Sequence, residues 1–149
     1  MPATYSNLLY HIVFSTKDRA PLISDEIEEE LYRYMAGIAR EEGGVLLEIG
    51  GIEDHIHLLA KFKPSVSVSD MLRLIKTNSS KWAHEDKGHA RFGWQEGYAA
   101  FSVNESQVVA VRRYIRNQAA HHRRQSFQEE FVAMLDRHGV EYDPRYLWD

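Results

Sequence analysis

The chain contains no cysteine in 149 residues. That removes disulfide frameworks, thiolate zinc sites and cysteine nucleophiles together, and leaves nitrogen and oxygen as the only ligands for a metal. Prolines are few, four in all, and no apolar run approaches the ~18 residues of a transmembrane helix. Met1–Asn7 lacks the basic-then-apolar pattern of a signal peptide. A soluble cytoplasmic protein with no membrane partner is expected. There is no Walker-type glycine loop, so no nucleotide cofactor is expected either. What remains is an ordinary globular balance, 44% hydrophobic and 27% charged, enough at this length for one domain over residues 1–149.

A formal net charge of −4 argues by itself against a nucleic-acid partner. The charge is segregated, however. Residues 61–124 hold twelve basic and five acidic side chains, a surplus of +7, whereas residues 1–60 sum to −7 and residues 125–149 to −4. Local field, not total charge, decides whether a polyanion is attracted.

Leu8–Phe14 is β-branched and aromatic and predicts a strand. Ser24 and Asp25, with Asp25 and Glu28 at capping-box spacing, predict a helix start. Ile27, Leu31, Met35 and Ile38 continue it at helical period until Gly43 and Gly44. Val45–Ile49 and His55–Phe62 predict two more strands, Asp70–Glu85 a second helix capped by Ser67 or Ser69, and Tyr98–Val103 a fourth strand. This β-α-β-β-α-β order is an α+β, ferredoxin-like pattern: both helices on one face of an antiparallel sheet, the other face open. Two further helices are expected at the C-terminal end, one over about Glu105–Gln125 and one opened by the Ser126/Glu129 capping box and ending near His138.

Two features carry chemistry. Alternation along His55–Phe62 puts Ile56, Leu58, Ala60 and Phe62 on the helix-facing side, so that His55 and His57 project together from the opposite face. That spacing suits two imidazoles converging on one divalent cation; two solvated polar residues are the alternative. In the helix after the fourth strand, Tyr114 and Gln118 lie one turn apart on one face, amid Arg112, Arg113, Arg116, Arg123 and Arg124. Five arginines around a tyrosine make poor core and a good phosphate-facing surface; a solvated basic face with an incidental tyrosine is the alternative. A tyrosine hydroxyl can hold a phosphodiester as a phosphotyrosine, splitting one transfer into two reversible steps, and a cation bound by two imidazoles and an amide oxygen polarises the phosphate. Lys61, Lys63, Arg73, Lys76, Lys81, Lys87 and Arg91, with Arg112, Arg113 and Arg116 among the arginines around Tyr114, form the expected phosphate track. Phe92 and Trp94 are read first as core and second as base-stacking platforms. His11, His84, His89 and His138 show no convergent spacing and receive no role.

Taken together, Asp54–Leu59, Tyr114–His122, the opening Tyr10–Lys17 with Arg19, and Phe127–Phe131 resemble the single-tyrosine HUH (His-hydrophobic-His) transposases of small bacterial insertion sequences, the TnpA type. The resemblance spans essentially the whole chain, in matching order. It implies that His55, His57 and Gln118 bind Mg²⁺ or Mn²⁺ and that Tyr114 is the nucleophile. It also implies cleavage of single-stranded DNA through a 5′-phosphotyrosine, with hairpins at the element ends as partners and a homodimer as the assembly. The net acidic composition departs from what a DNA-processing enzyme suggests. A domesticated, repeat-associated tyrosine transposase is the nearest alternative, although the short tail Glu141–Asp149 favours the insertion-sequence type. A non-catalytic RNA- or DNA-binding ferredoxin-like module and a water-using phosphoesterase are the others.

Overall fold

Four strands, β1 (Leu8–Ser15), β2 (Gly44–Ile52), β3 (His55–Phe62) and β4 (Ala99–Ser102), pair antiparallel in the order β2-β3-β1-β4. This is the expected ferredoxin-like sheet. The computed structural model describes residues 3–148. Met1, Pro2 and Asp149, which end the segments read above as lacking a leader and as a short tail, lie outside the described residues. Helices α1 (Glu28–Glu41) and α2 (Val68–Glu85) cover one face. Their Leu31, Met35, Leu72 and Ile75 pack on Ile56, Leu58, Ala60 and Phe62 of β3, as strand alternation requires.

Local chemistry sets most boundaries. Ser67 caps α2 by accepting from the Asp70 amide, and Ser126 and Glu129 form the reciprocal box that opens α5 (Phe127–Arg137). The start of α1 differs from expectation. Its side-chain cap is absent; a turn over residues 25–27 precedes it, and the Ser24 carbonyl accepts from the amides of Ile27 and Glu28.

Two larger differences concern the C-terminal region. The single helix expected over Glu105–Gln125 is instead a short 3₁₀ turn, then α3 (Val108–Arg116), then α4 (Gln118–His121), broken at Asn117 (φ −96°, ψ 21°). The second face of the sheet is also not open. Beside the histidines it presents Val13, Leu59, Ala99 and Phe101, too apolar to be left in water. The stripe Phe127, Phe131, Met134 and Leu135 of α5 covers it, with Leu147 and Trp148 behind.

Helix α3 docks at the edge on β2. Ile115, fully buried, sits where a Cβ on Gly50 would overlap its carbonyl, so the close approach requires glycine at that position. Glu48 on the same strand accepts from Arg112 Nε (3.2 Å) and Arg116 Nε (2.9 Å). Among the described residues, no helix is long and apolar enough to cross a membrane.

Candidate metal and tyrosine site

His55 and His57 leave β3 on the face covered by α5, and both are fully buried. Strand pairing sets Ser15 opposite His55 and Val13 opposite His57. His11, two residues along β1, therefore reaches His57 diagonally, as cross-strand neighbours do: its Nε2 lies 2.9 Å from His57 Nδ1. Asp54, in the two-residue turn between β2 and β3, accepts from His55 Nδ1 at 2.8 Å. Each of the two strand imidazoles thus has its Nδ1 engaged behind it and its Nε2 directed forward.

The forward side is built by α3, α4 and α5. Gln118, at the first position after the Asn117 break, donates from Nε2 to the Tyr114 carbonyl (3.4 Å), which turns its Oε1 toward His55 Nε2 (3.1 Å). His122 Nε2 lies 2.9 Å from that oxygen and 3.1 Å from Glu130 Oε1. Glu130 Oε1 is also 3.0 Å from His57 Nε2 and 3.5 Å from His55 Nε2. Its other oxygen accepts the hydroxyl hydrogen of Tyr114 and lies 3.4 Å from His121 Nε2. Donor atoms of His55, His57, His122 and Glu130 all fall within 4.8 Å of one another, so the group could hold a metal ion.

Burial and charge shift these groups in opposite directions. Burial pulls His55 down, but the carboxylates of Asp54 and Glu130 outweigh it and lift the imidazole to about 9. For His57, buried with only Glu130 to compensate, burial wins and the value falls. Burial likewise takes His11 down to about 3. Glu130 stays a carboxylate well below its usual range, because His122, His55 and His57 overcome the cost of burying it. Tyr114 is raised, first by partial burial and then by the adjacent Glu130 charge.

The sequence reading named His55, His57, Tyr114 and Gln118, and the fold brings all four into one volume. Sequence reasoning missed the roles of His11, Asp54, His122 and Glu130. For Glu130 a signal existed: it lies inside the apolar stripe of α5, between Phe127 and Phe131, where a carboxylate needs a partner. His11 left no such trace, because its partner comes from strand register. The basic residues separate into several places. Arg113, Arg123 and Arg124 line a cleft of about 570 Å³ that opens onto Tyr114 and His121, whereas Arg112 and Arg116 are tied to Glu48. Lys61 and Lys63 border a hollow at the far end of β3. Arg73 and Lys81 are exposed on α2, which packs on the opposite face of the sheet. The ammonium of Lys76 donates to the carbonyls of Gln95, Glu96 and Gly97 at 2.9–3.1 Å. Phe92 is buried in the main core, and the indole N–H of Trp94 donates to Ser79.

The ferredoxin-like sheet thus bears a His-x-His pair to which α3 brings a tyrosine and α4 an amide. The chain belongs to the IS200-like transposase family, whose model matches residues 4–118. It is therefore a transposase, a DNA-processing enzyme. Among curated relatives, the ISDra2 transposase TnpA of Deinococcus radiodurans is 24% identical over 117 residues, covering 74% of this chain and 84% of that one. The transposase for insertion sequence element IS200 of Salmonella typhimurium is 28% identical over 118 residues, covering 75% and 77%. Two solved structures share the fold. A Deinococcus radiodurans protein assigned as a transposase aligns with a TM-score of 0.65 at 24% identity, covering 79% of this chain and 95% of that one. A REP-associated tyrosine transposase bound to a REP hairpin aligns with a TM-score of 0.60 at 14% identity, covering 82% and 73%.

Proposed function

We propose that this transposase cleaves and rejoins single-stranded DNA with Tyr114 as nucleophile, on hairpins at the ends of an insertion sequence. The observation that carries this reading is the pairing of the Tyr114 hydroxyl with the carboxylate on which the histidine Nε2 atoms converge. A scissile phosphate entering the arginine cleft meets the tyrosine and the histidine group together. The tyrosine oxygen bonds to phosphorus and the bond to the 3′ oxygen breaks, which leaves a 5′-phosphotyrosine and a free 3′-OH. The strand is then rejoined when a 3′-OH attacks the phosphotyrosine, so the chain uses no nucleotide cofactor.

The residues fit a divalent cation: buried imidazole nitrogens, an amide oxygen and a carboxylate converge, with Asp54 behind His55, Gln125 behind His122 and His11 behind His57. His55, His57 and Gln118 would hold Mg²⁺ or Mn²⁺, which supplies Lewis-acid polarisation of the phosphate. Arg113, Arg123 and Arg124 hold the flanking backbone, and the hairpin bound to the REP-associated structure supports a hairpin substrate. The homodimer implied by the family resemblance belongs to the same proposal and is checked by light scattering.

The deciding experiment incubates the protein with Mn²⁺ and single-stranded DNA from its own element ends, then denatures it. A covalent protein–DNA adduct is expected from wild type and none from Tyr114→Phe. An adduct that survives in Tyr114→Phe, or no adduct from wild type, overturns the reading.

A further inference from the structure

Helix α5 and the residues before it lie beyond the segment that the family model matches, which ends at residue 118. Yet His122 and Glu130 stand at the centre of the site. His122 Nδ1 faces the Gln125 carbonyl at 2.8 Å, and a carbonyl only accepts, so Nδ1 donates to it and Nε2 is the nitrogen turned into the site. That Nε2 lies 2.9 Å from Gln118 Oε1 and 3.1 Å from Glu130 Oε1. His55 repeats the pattern: its Nδ1 donates to the Asp54 carboxylate, and its Nε2 faces the same two oxygens. Ligand-capable atoms of three imidazoles, an amide and a carboxylate therefore converge on one volume: those of His55, His57, His122 and Glu130 lie within 4.8 Å of one another, and Gln118 Oε1 lies 3.1 Å from His55 Nε2 and 2.9 Å from His122 Nε2. The contacts of 2.9–3.1 Å among these donors match the ~3 Å between adjacent ligands around an ion with ~2.1 Å bonds.

We propose that His122 Nε2 and Glu130 Oε1 are metal ligands in this chain, joining His55, His57 and Gln118 in a set of three nitrogens and two oxygens. This rests on the metal reading given above and extends it. Glu130 then has two jobs, since its second oxygen holds the Tyr114 hydroxyl beside the ion. Three imidazoles also bias the site toward Mn²⁺ over Mg²⁺, which prefers all-oxygen shells.

The test is Mn²⁺ binding to the full-length protein without DNA, by calorimetry and by pulsed EPR of the bound ion. Wild type is expected to bind one Mn²⁺ with nitrogen couplings from three imidazoles. His122→Phe retains two of these, and both His122→Phe and Glu130→Gln bind at least tenfold more weakly. A wild-type spectrum with only two imidazoles, or wild-type affinity in either variant, overturns the proposal. The wild-type spectrum needs no substitution, so a variant that fails to fold does not remove the test. If wild type binds no Mn²⁺, or His57→Ala binds it as tightly as wild type, the metal reading falls and this proposal with it. If His57→Ala weakens binding while both α5-side variants do not, only the present proposal falls.

Discussion

At the scale of single residues, the site is a problem of proton placement. A neutral imidazole offers one lone pair and one N–H, so when a ring loses its second proton to bind a cation, whatever holds Nδ1 decides what Nε2 can do. Asp54 fixes His55, Gln125 fixes His122, and His11 holds His57, each from behind. Partners of this kind are worth about 10–100-fold in metal affinity. Asp54→Ala is accordingly expected to weaken Mn²⁺ binding by that order in a calorimetric titration, with the melting temperature of the metal-free protein little changed because Asp54 is partly exposed. Unchanged affinity would mean that His55 is oriented by packing alone. The aromatic stacking of Phe127 on the His55 ring, centroids 4.3 Å apart, is the packing that competes for that role.

At the scale of elements, α3 is positioned by its own chain's sheet, through the Gly50 notch and the Glu48 ion pairs. Gly50→Ala forces a Cβ into the Ile115 backbone, a collision of backbone rather than of a flexible tip. Overpacking of this kind costs ~1–3 kcal/mol. The expected outcome is a lower urea midpoint together with loss of adduct formation, since Tyr114 rides on the displaced helix. A variant with wild-type stability would show that α3 docks elsewhere. The same helix divides its arginines between two tasks. Removing one phosphate contact lowers the salt slope of single-strand binding by ~0.7, so Arg113→Gln is expected to flatten the plot of log affinity against log salt by that amount. Arg112→Gln, which breaks a pair with Glu48, should mainly lower thermal stability. Equal slopes for the two variants would contradict the division. On the other side of the site, α5 is held by Phe127 and Phe131, and Phe131→Ala is expected to cost ~3 kcal/mol in denaturant unfolding.

At the scale of the whole molecule, the metal and the fold are linked. An ion that binds only the folded chain adds about 2.7 kcal/mol at one hundred times its dissociation constant. For a protein of this size that amounts to a rise in melting temperature of roughly 5–10 °C. Differential scanning of wild type with and without Mn²⁺ measures it directly, and the rise should vanish in His57→Ala. A rise that persists there would place the ion elsewhere.

The legible part of the molecule was whatever repeats over short distances. Period-two alternation in β3 sorted Ile56 and Leu58 from His55 and His57, and 3.6-residue spacing located α1, α2 and α5, because backbone geometry imposes those periods on every chain. The surplus of +7 over residues 61–124 was equally available from the sequence. Tertiary structure alone decided what lies opposite what. It covered the face that looked open, because Val13, Leu59 and Phe101 needed burial there. It broke the tyrosine helix at Asn117, scattered the basic block over both faces of the sheet, and carried Glu130 across 73 residues of chain to His57. Such meetings arise from packing and from strand register, which join residues that share no local period; the sequence names the side chains, and the fold determines which of them can touch.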